Sequence, residues 1–338
     1  MLCGFSMTAV WSLVCLAAAA TSSAERNSAE HTNASTITSG TATSGCDGIN
    51  CWAAAALAAG STRFSKAQLA AAVPMQPAIF KAKSKRAATV STTTAASCTP
   101  PVRLNASACQ SSGLPCGSMG KLFIMVANTT ASCSASFIAD NYVLTAGHCC
   151  MEKPGVWNTN MEFYIDWESG KPSPGNLDPF VPTNMLVPQP WHDSRNRPHD
   201  WCFLKMNGTG PSHISPKWGY NPSPLHFGAF GWPVLPPYDG ESLFKATGPC
   251  KGTSARWPPG NPPVYGPCQK LDAAGMLYMS CNTMTPGCSG GPWHDPVVGV
   301  FGLNSAYIMA PDEPIVYASP YFGSDFMASC QKAGAGCT

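Results

Sequence analysis

Thr285-Pro286-Gly287-Cys288-Ser289-Gly290-Gly291-Pro292 presents one serine on a turn with three glycines in eight positions. Glycine adopts backbone conformations closed to other residues and lets N–H groups converge on an anion. A serine hydroxyl is a weak nucleophile at neutral pH, so it needs a base within reach and a group that orients the base. Both types of residue lie upstream, in Leu144-Thr145-Ala146-Gly147-His148-Cys149 and in His199-Asp200-Trp201-Cys202-Phe203-Leu204. The order His, Asp, Ser is one of the few used by hydrolytic triads. The expected roles are His148 as base, Asp200 as its orienting carboxylate and Ser289 as nucleophile, with the N–H groups of Gly287 and Ser289 as an oxyanion hole.

The same Gly287-Cys288-Ser289-Gly290-Gly291 run also fits the G-x-S-x-G elbow of α/β-hydrolases. Chain order decides against that fold, which places Asp and then His after the serine. Only 49 residues follow Ser289, with one histidine, His294, and no βα repeats. No H-E-x-x-H or comparable ligand set points to metal hydrolysis, so neither metal nor cofactor is expected.

From Cys116 onward, short apolar and β-branched runs alternate with Pro, Gly and Asn clusters, the pattern of an all-β sandwich or barrel. Strands are expected at Lys121–Val126, Ser134–Ile138, Tyr142–Leu144, Met161–Ile165, Trp201–Lys205, Leu277–Ser280 and Val297–Phe301. The Pro- and Gly-rich stretch Pro211–Pro267 reads as long surface loops. Ser324 is placed to cap a short helix running to about Lys332, with Gly334 as its stop.

Charged residues make up only 11% of the chain and the net charge is +2, which gives no basic footprint for nucleic acid. The 17 cysteines are scattered rather than grouped as paired C-x-x-C, and imply an oxidising compartment. Sequons at Asn33, Asn105, Asn128 and Asn207 fit passage through a secretory route. An apolar run from Ala9 to Ala20, too short to span a bilayer comfortably, predicts a signal peptide over 1–24, although no Lys or Arg precedes it. A soluble, secreted mature protein is therefore expected, acting as a monomer.

Residues 25–115 are dominated by Ala, Ser and Thr, with few large apolar residues, and read as a low-complexity pro-segment or flexible arm. Within it Cys46 to Cys51 could close a small loop, and Trp52 to Ala72 could form an Ala-rich helix. Lys81-Ala82-Lys83-Ser84-Lys85-Arg86 suits either proteolytic processing or a solvated linker.

The run Cys133-Ser134-Ala135-Ser136-Phe137-Ile138-Ala139-Asp140-Asn141-Tyr142-Val143-Leu144-Thr145-Ala146-Gly147-His148-Cys149 resembles the histidine region of chymotrypsin-like (trypsin-fold) serine peptidases. His199–Lys205 resembles that family's aspartate strand, Gly287–Pro292 its serine loop, and Val298–Gly302 the strand after the serine. The likeness covers residues 116–338 and implies two antiparallel six-stranded β-barrels with a short C-terminal helix. It also implies a Cys133–Cys149 disulfide and an endopeptidase acting on protein or peptide substrates through an acyl-enzyme. The alternative is a catalytically silent module of the same architecture, and a weaker one is a structural cell-wall protein.

Departures from the family narrow the expectation. The aspartate that pairs with a new N-terminus in trypsin is Cys288 here, so activation by that ion pair is not expected; Cys281–Trp293 is closer to extracellular glutamyl-endopeptidase-like relatives. By the resemblance, Thr283, Phe301, Gly302, Leu303 and Asn304 would bind substrate, with Thr283 and Phe301 implying a pocket for neutral or apolar side chains. Gly302 falls where the family has a serine supporting the aspartate, leaving Asp200 to be oriented from elsewhere. Cys250 with Cys268 and Cys330 with Cys337 are expected local pairs, Cys150 could compete for Cys133, Cys202 reads as an unpaired core residue, and Cys288 could be paired or free.

Overall fold

The computed structural model describes residues 42–47, 50–56, 63–75, 78–81, 100–105, 109, 116–172, 177–220, 227–247, 275–280, 282–309 and 316–337. All lie in the compact unit Ser39–Thr338. The architecture is the expected one, mostly β with curled antiparallel sheets. The first barrel has the strand order Pro182–Pro188, Cys202–Met206, Tyr142–Thr145, Thr129–Ala139, Met119–Val126, Thr159–Ile165. Phe163 and Phe180 exchange two backbone hydrogen bonds of 2.9 Å, which brings the last strand back to the chain entering the first. Strand Thr129–Ala139 shows why the sequence folds this way. Ala131, Cys133, Ala135 and Phe137 alternate with Ser132, Ser134 and Ser136, so the two-residue period sends apolar side chains one way and hydroxyls the other.

The second barrel is built from Gly228–Gly231, Leu243–Ala246, Met276–Ser280, Pro292–Asp295, Gly299–Leu303, Ala306–Met309 and Val316–Pro320. Gly299–Leu303 and Ala306–Met309 are one run bent at Asn304–Ser305. The Leu303 N–H donates to Ser319 Oγ (2.7 Å) and the Ser305 N–H to the Ala318 carbonyl (3.0 Å), so the bend lies against Val316–Pro320. Two of these strands fall inside Pro211–Pro267, where loops were expected. Gly228–Gly231 is fully buried, with the Phe230 ring in the core, so tertiary burial overrides the local Pro and Gly signals.

The N-terminal segment carries more structure than its composition suggests. Ala42–Asp47 and Asn50–Ala56 form a hairpin with Cys46 opposite Cys51, and the second strand extends the sheet beside Pro182–Pro188. The Ala-rich helix expected from Trp52 is thus replaced by a strand, because a sheet edge offers backbone partners that propensity alone does not count. Among the described residues of this stretch, a helix forms at Lys66–Ala70, started by a reciprocal Ser65–Gln68 capping box. Phe64 and Met75 are buried, and the Phe64 N–H donates to the buried Glu162 carboxylate (2.9 Å). Val102–Leu104 pairs with Leu243–Ala246.

The C-terminal helix runs Ser324–Ala333 and ends at Gly334 in the left-handed region (φ 76°), as expected. Its N-cap is Gly323, and Ser324 is the first helical residue rather than the cap. Phe326 packs on Trp201 and Phe203 (5.6 and 5.3 Å between centroids), which fixes the helix on the first barrel behind Asp200. Cys330 pairs with Cys337; Cys250 and Cys268 lie outside the described residues.

Candidate active site

Strand Tyr142–Thr145 runs directly into a single helical turn, Gly147–Cys150, that carries His148. The turn is cross-linked on two sides, by Cys149–Cys133 to the strand Thr129–Ala139 and by Cys150–Cys202 to the strand that follows Asp200. Cys202 is therefore a disulfide partner and not the unpaired core residue its sequence context suggested. The register explains the pairing, since Cys202 lies opposite Thr145 and so beside the turn that bears Cys150.

Asp200 receives three hydrogen bonds. The His148 N–H donates to Oδ1 (2.8 Å), His148 Nδ1 lies 2.9 Å from Oδ2, and Ser305 Oγ donates to Oδ2 (2.6 Å). His148, Asp200 and Ser305 are 1%, 3% and 2% exposed, so this carboxylate depends on protein donors rather than water. His148 Nε2 is buried and has no hydrogen-bond partner, which leaves it available to a proton donor in the cleft. The support for Asp200 thus comes from Ser305, three residues beyond Gly302, where a Cβ would press on Ser319 Oγ (2.5 Å).

Ser289 sits against the histidine turn. The Ser134 N–H donates to its carbonyl (2.7 Å), and a Cβ at Gly290 would collide with Thr145 Oγ1, the Ser134 carbonyl and the Ala146 nitrogen. Gly290 has φ 81° and Gly287 φ 105°, so both positions need glycine for conformation as well as space. The Pro286 carbonyl accepts from the Val234 N–H (2.9 Å), and the Cys288 carbonyl accepts from the Gly291 N–H (2.9 Å) and Asn304 Nδ2 (3.2 Å). In a planar trans peptide the N–H points opposite the C=O, so the Gly287 and Ser289 N–H groups face away from these interior bonds. Neither donates to any described residue.

Cys288 is a free, buried thiol that donates to the Tyr317 hydroxyl (3.2 Å), and burial pushes its pKa up to about 12. It is a neutral contact where trypsin has an ion pair. Thr283 Oγ1 lies 3.5 Å from the Tyr238 hydroxyl. Phe301 and Leu303 are buried in the core, and Asn304 is tied to Phe230, Cys288 and the Trp293 indole. The side chains of these three residues are thus committed inward. Sequence inspection missed Ser305 because the bend at Asn304–Ser305 shifts the register, and only the Asn-Ser break after an apolar run marks it. Among the described residues, Cys133, His148 and Cys149 are the one His/Cys/Asp/Glu group close enough for a metal, but the disulfide uses both thiolates.

Comparison with known proteins agrees with this geometry. A family model described as Trypsin matches residues 83–220, a span that includes His148 and Asp200 and ends before Ser289. Among solved structures, the protease Anisep from Arthrobacter nicotinovorans is 25% identical, with TM-score 0.53, over 66% of this chain and 97% of its own. The thermostable serine protease AL20 from an extremophilic microorganism is 23% identical, with TM-score 0.52, over 65% and 98%. A Glu endopeptidase solved in complex with MPD is 14% identical, with TM-score 0.50, over 70% and 97%. No curated protein matches the chain. The chain is a trypsin-fold, serine-protease-like protein with the chymotrypsin-like double β-barrel. Among the described residues no helix is long and apolar enough to cross a membrane.

Proposed function

We propose that this trypsin-fold protein is a secreted serine endopeptidase that cleaves protein or peptide substrates through an acyl-enzyme. His148 Nε2 takes the Ser289 proton and returns it to the leaving amine; Asp200, bonded to Nδ1, holds the tautomer and stabilises the imidazolium. The acyl bond forms at Ser289 Oγ as the peptide C–N bond breaks, and water then releases the acid. The Gly287 and Ser289 N–H groups hold the oxyanion, each donor supplying on the order of 3 kcal/mol in the transition state. The observation that carries this assignment is the buried hydroxyl–carboxylate–imidazole series Ser305–Asp200–His148 lying against a serine turn with uncommitted N–H groups. The disulfides and the 1–24 segment support export, and the sequons support glycosylation.

The test is covalent labelling with a fluorophosphonate after the chain has been nicked by an added Lys/Arg-directed endoprotease in Lys83–Arg86. Folded wild-type protein should label at one site and Ser289→Ala should not. Folded, nicked wild type that takes up no label overturns the assignment and favours the silent module.

A further inference from the structure

We propose that Val73–Met75 and Ala78–Lys81 together form an autoinhibitory strap, the second stretch occupying the strand edge on which an extended peptide substrate would pair. The inference rests on the peptidase assignment above. The strand Ala306–Met309 pairs on one side with Val316–Pro320. It begins one residue after Ser305, whose hydroxyl holds Asp200, and two after Asn304, whose carbonyl accepts the Gly290 N–H (2.7 Å). Its other edge would present unpaired N–H and C=O groups beside the site, the arrangement that recruits an extended peptide by strand addition.

That edge is already taken. Ala78–Lys81 pairs with it in the register Ala78↔Ala306, Ile79↔Tyr307, Phe80↔Ile308 and Lys81↔Met309. The stretch just before it, Val73–Met75, is held by the first barrel. The Met75 N–H donates to the Ser132 carbonyl (2.9 Å), and Val73–Pro74 pairs with Ala131–Ser132. Ser132 lies two residues before Ser134, whose N–H holds the Ser289 carbonyl. Met75 and Ala78 are three residues apart, so their Cα atoms are at most about 11 Å apart. The chain is therefore anchored on both barrels, at Ala306 and at Ser132, each two residues from a backbone bond to the serine turn.

The kind of pairing fits a contact made to be released. Among the paired strands of the described residues, these two are the parallel ones, and each is short. Parallel ladders are slightly less stable per residue than antiparallel ones. The basic run Lys81–Arg86 begins at the end of the strap, and hydrolysis there, consuming one water per bond, cuts its covalent link to the barrels while leaving Val102–Leu104 in place.

The experiment compares fluorophosphonate labelling of the full-length wild type, the full-length Ile79→Pro/Phe80→Pro variant, and both proteins nicked in Lys83–Arg86. Adjacent strand residues point their N–H groups to opposite sides, so two prolines remove whichever one faces Ala306–Met309. Hydrogen exchange of the Ala306–Met309 amides is read in parallel and does not depend on the chemistry. Intact wild type should label at least about tenfold more slowly than the intact variant, and its Ala306–Met309 amides should be protected and become exposed in the variant. Equal labelling of the intact forms, with nicked protein labelled at Ser289, overturns the strap while the peptidase assignment stands. Unchanged exchange at Ala306–Met309 in the variant also overturns it. No labelling of any folded form overturns both.

Discussion

Replacing Ser305 by Ala removes one of the three donors to Asp200 without touching His148 or Ser289. The bond is short, 2.6 Å, and ends on a carboxylate that is 3% exposed, so water cannot readily replace the donor. A hydrogen bond to a charged group is worth about 1.5–3 kcal/mol. Only the part that strengthens as the imidazolium forms lowers the barrier; the rest stabilises the ground state equally. Taking about half gives about 0.8–1.5 kcal/mol, a loss of about 4- to 13-fold in the acylation rate. The assay is the fluorophosphonate reaction of nicked protein at several reagent concentrations, which separates the limiting rate from the half-saturating concentration. Ser305→Ala should lower the first and leave the second unchanged, with urea unfolding confirming a folded state. A folded Ser305→Ala protein that reacts at the wild-type limiting rate would refute the view that Ser305 orients Asp200.

Four further outcomes are expected. Converting both Cys150 and Cys202 to Ser opens a loop spanning 52 residues, for which chain entropy gives a loss of about 4 kcal/mol in unfolding free energy. Gly290→Ala should abolish labelling and lower the unfolding midpoint, since its Cβ meets Thr145, Ser134 and Ala146 and the residue sits at φ 81°. Two groups give opposite slopes of stability with pH. Burial lowers the His294 pKa from 6.5 to about 4, opposed by Asp295 and assisted by Lys245, so the unfolded chain binds more protons in that window and stability falls on acidification. Burial, assisted by Glu168, raises Asp166 from 3.8 to about 6, so the folded chain binds more protons there and stability rises on acidification. His294→Gln should flatten the acid loss. Asp166→Asn should add about 1 kcal/mol at pH 7, after allowance for partial exposure, because asparagine also tolerates the φ of 49° at that position. Denaturant melts between pH 4 and 7.5 measure both.

The residues around the cleft divide by how local their signals are. His148, Asp200 and Ser289 were legible because each sits in a short run whose residue types are set by its own turn: Gly147 before the histidine, Gly287 and Gly290 around the serine. The serine-alternating strand Thr129–Ala139 was legible because a period of two is a local property. Ser305 was not, because its role depends on how far the preceding strand runs before it bends, which is fixed by packing against Val316–Pro320. Strands Gly228–Gly231 and Leu243–Ala246 were hidden for a similar reason: four-residue strands among prolines carry too little local pattern, and burial supplies the rest. In the N-terminal segment, Phe64 and Met75 are few among alanines, yet the sites that receive them lie in distant strands that composition cannot reveal.

Cys288 bears on how such a protein could be kept inactive. In trypsin the loop before the serine is ordered by an aspartate that pairs with a newly cut N-terminus, so inactivity can come from disorder. Here the thiol is neutral, its pKa pushed up to about 12 by burial, and it donates to the Tyr317 hydroxyl, so no ion pair is waiting to form. The loop is held by other means: Ser134 Oγ donates to the Gly287 carbonyl (2.9 Å), Asn304 Nδ2 to the Phe230 and Cys288 carbonyls (2.8 and 3.2 Å), and the Gly290 N–H to the Asn304 carbonyl (2.7 Å). None of these bonds requires a cut chain. A serine turn already built in the uncut protein cannot be silenced by disorder, which leaves occlusion as the available control, and Val73–Met75 with Ala78–Lys81 are the described stretches placed to provide it.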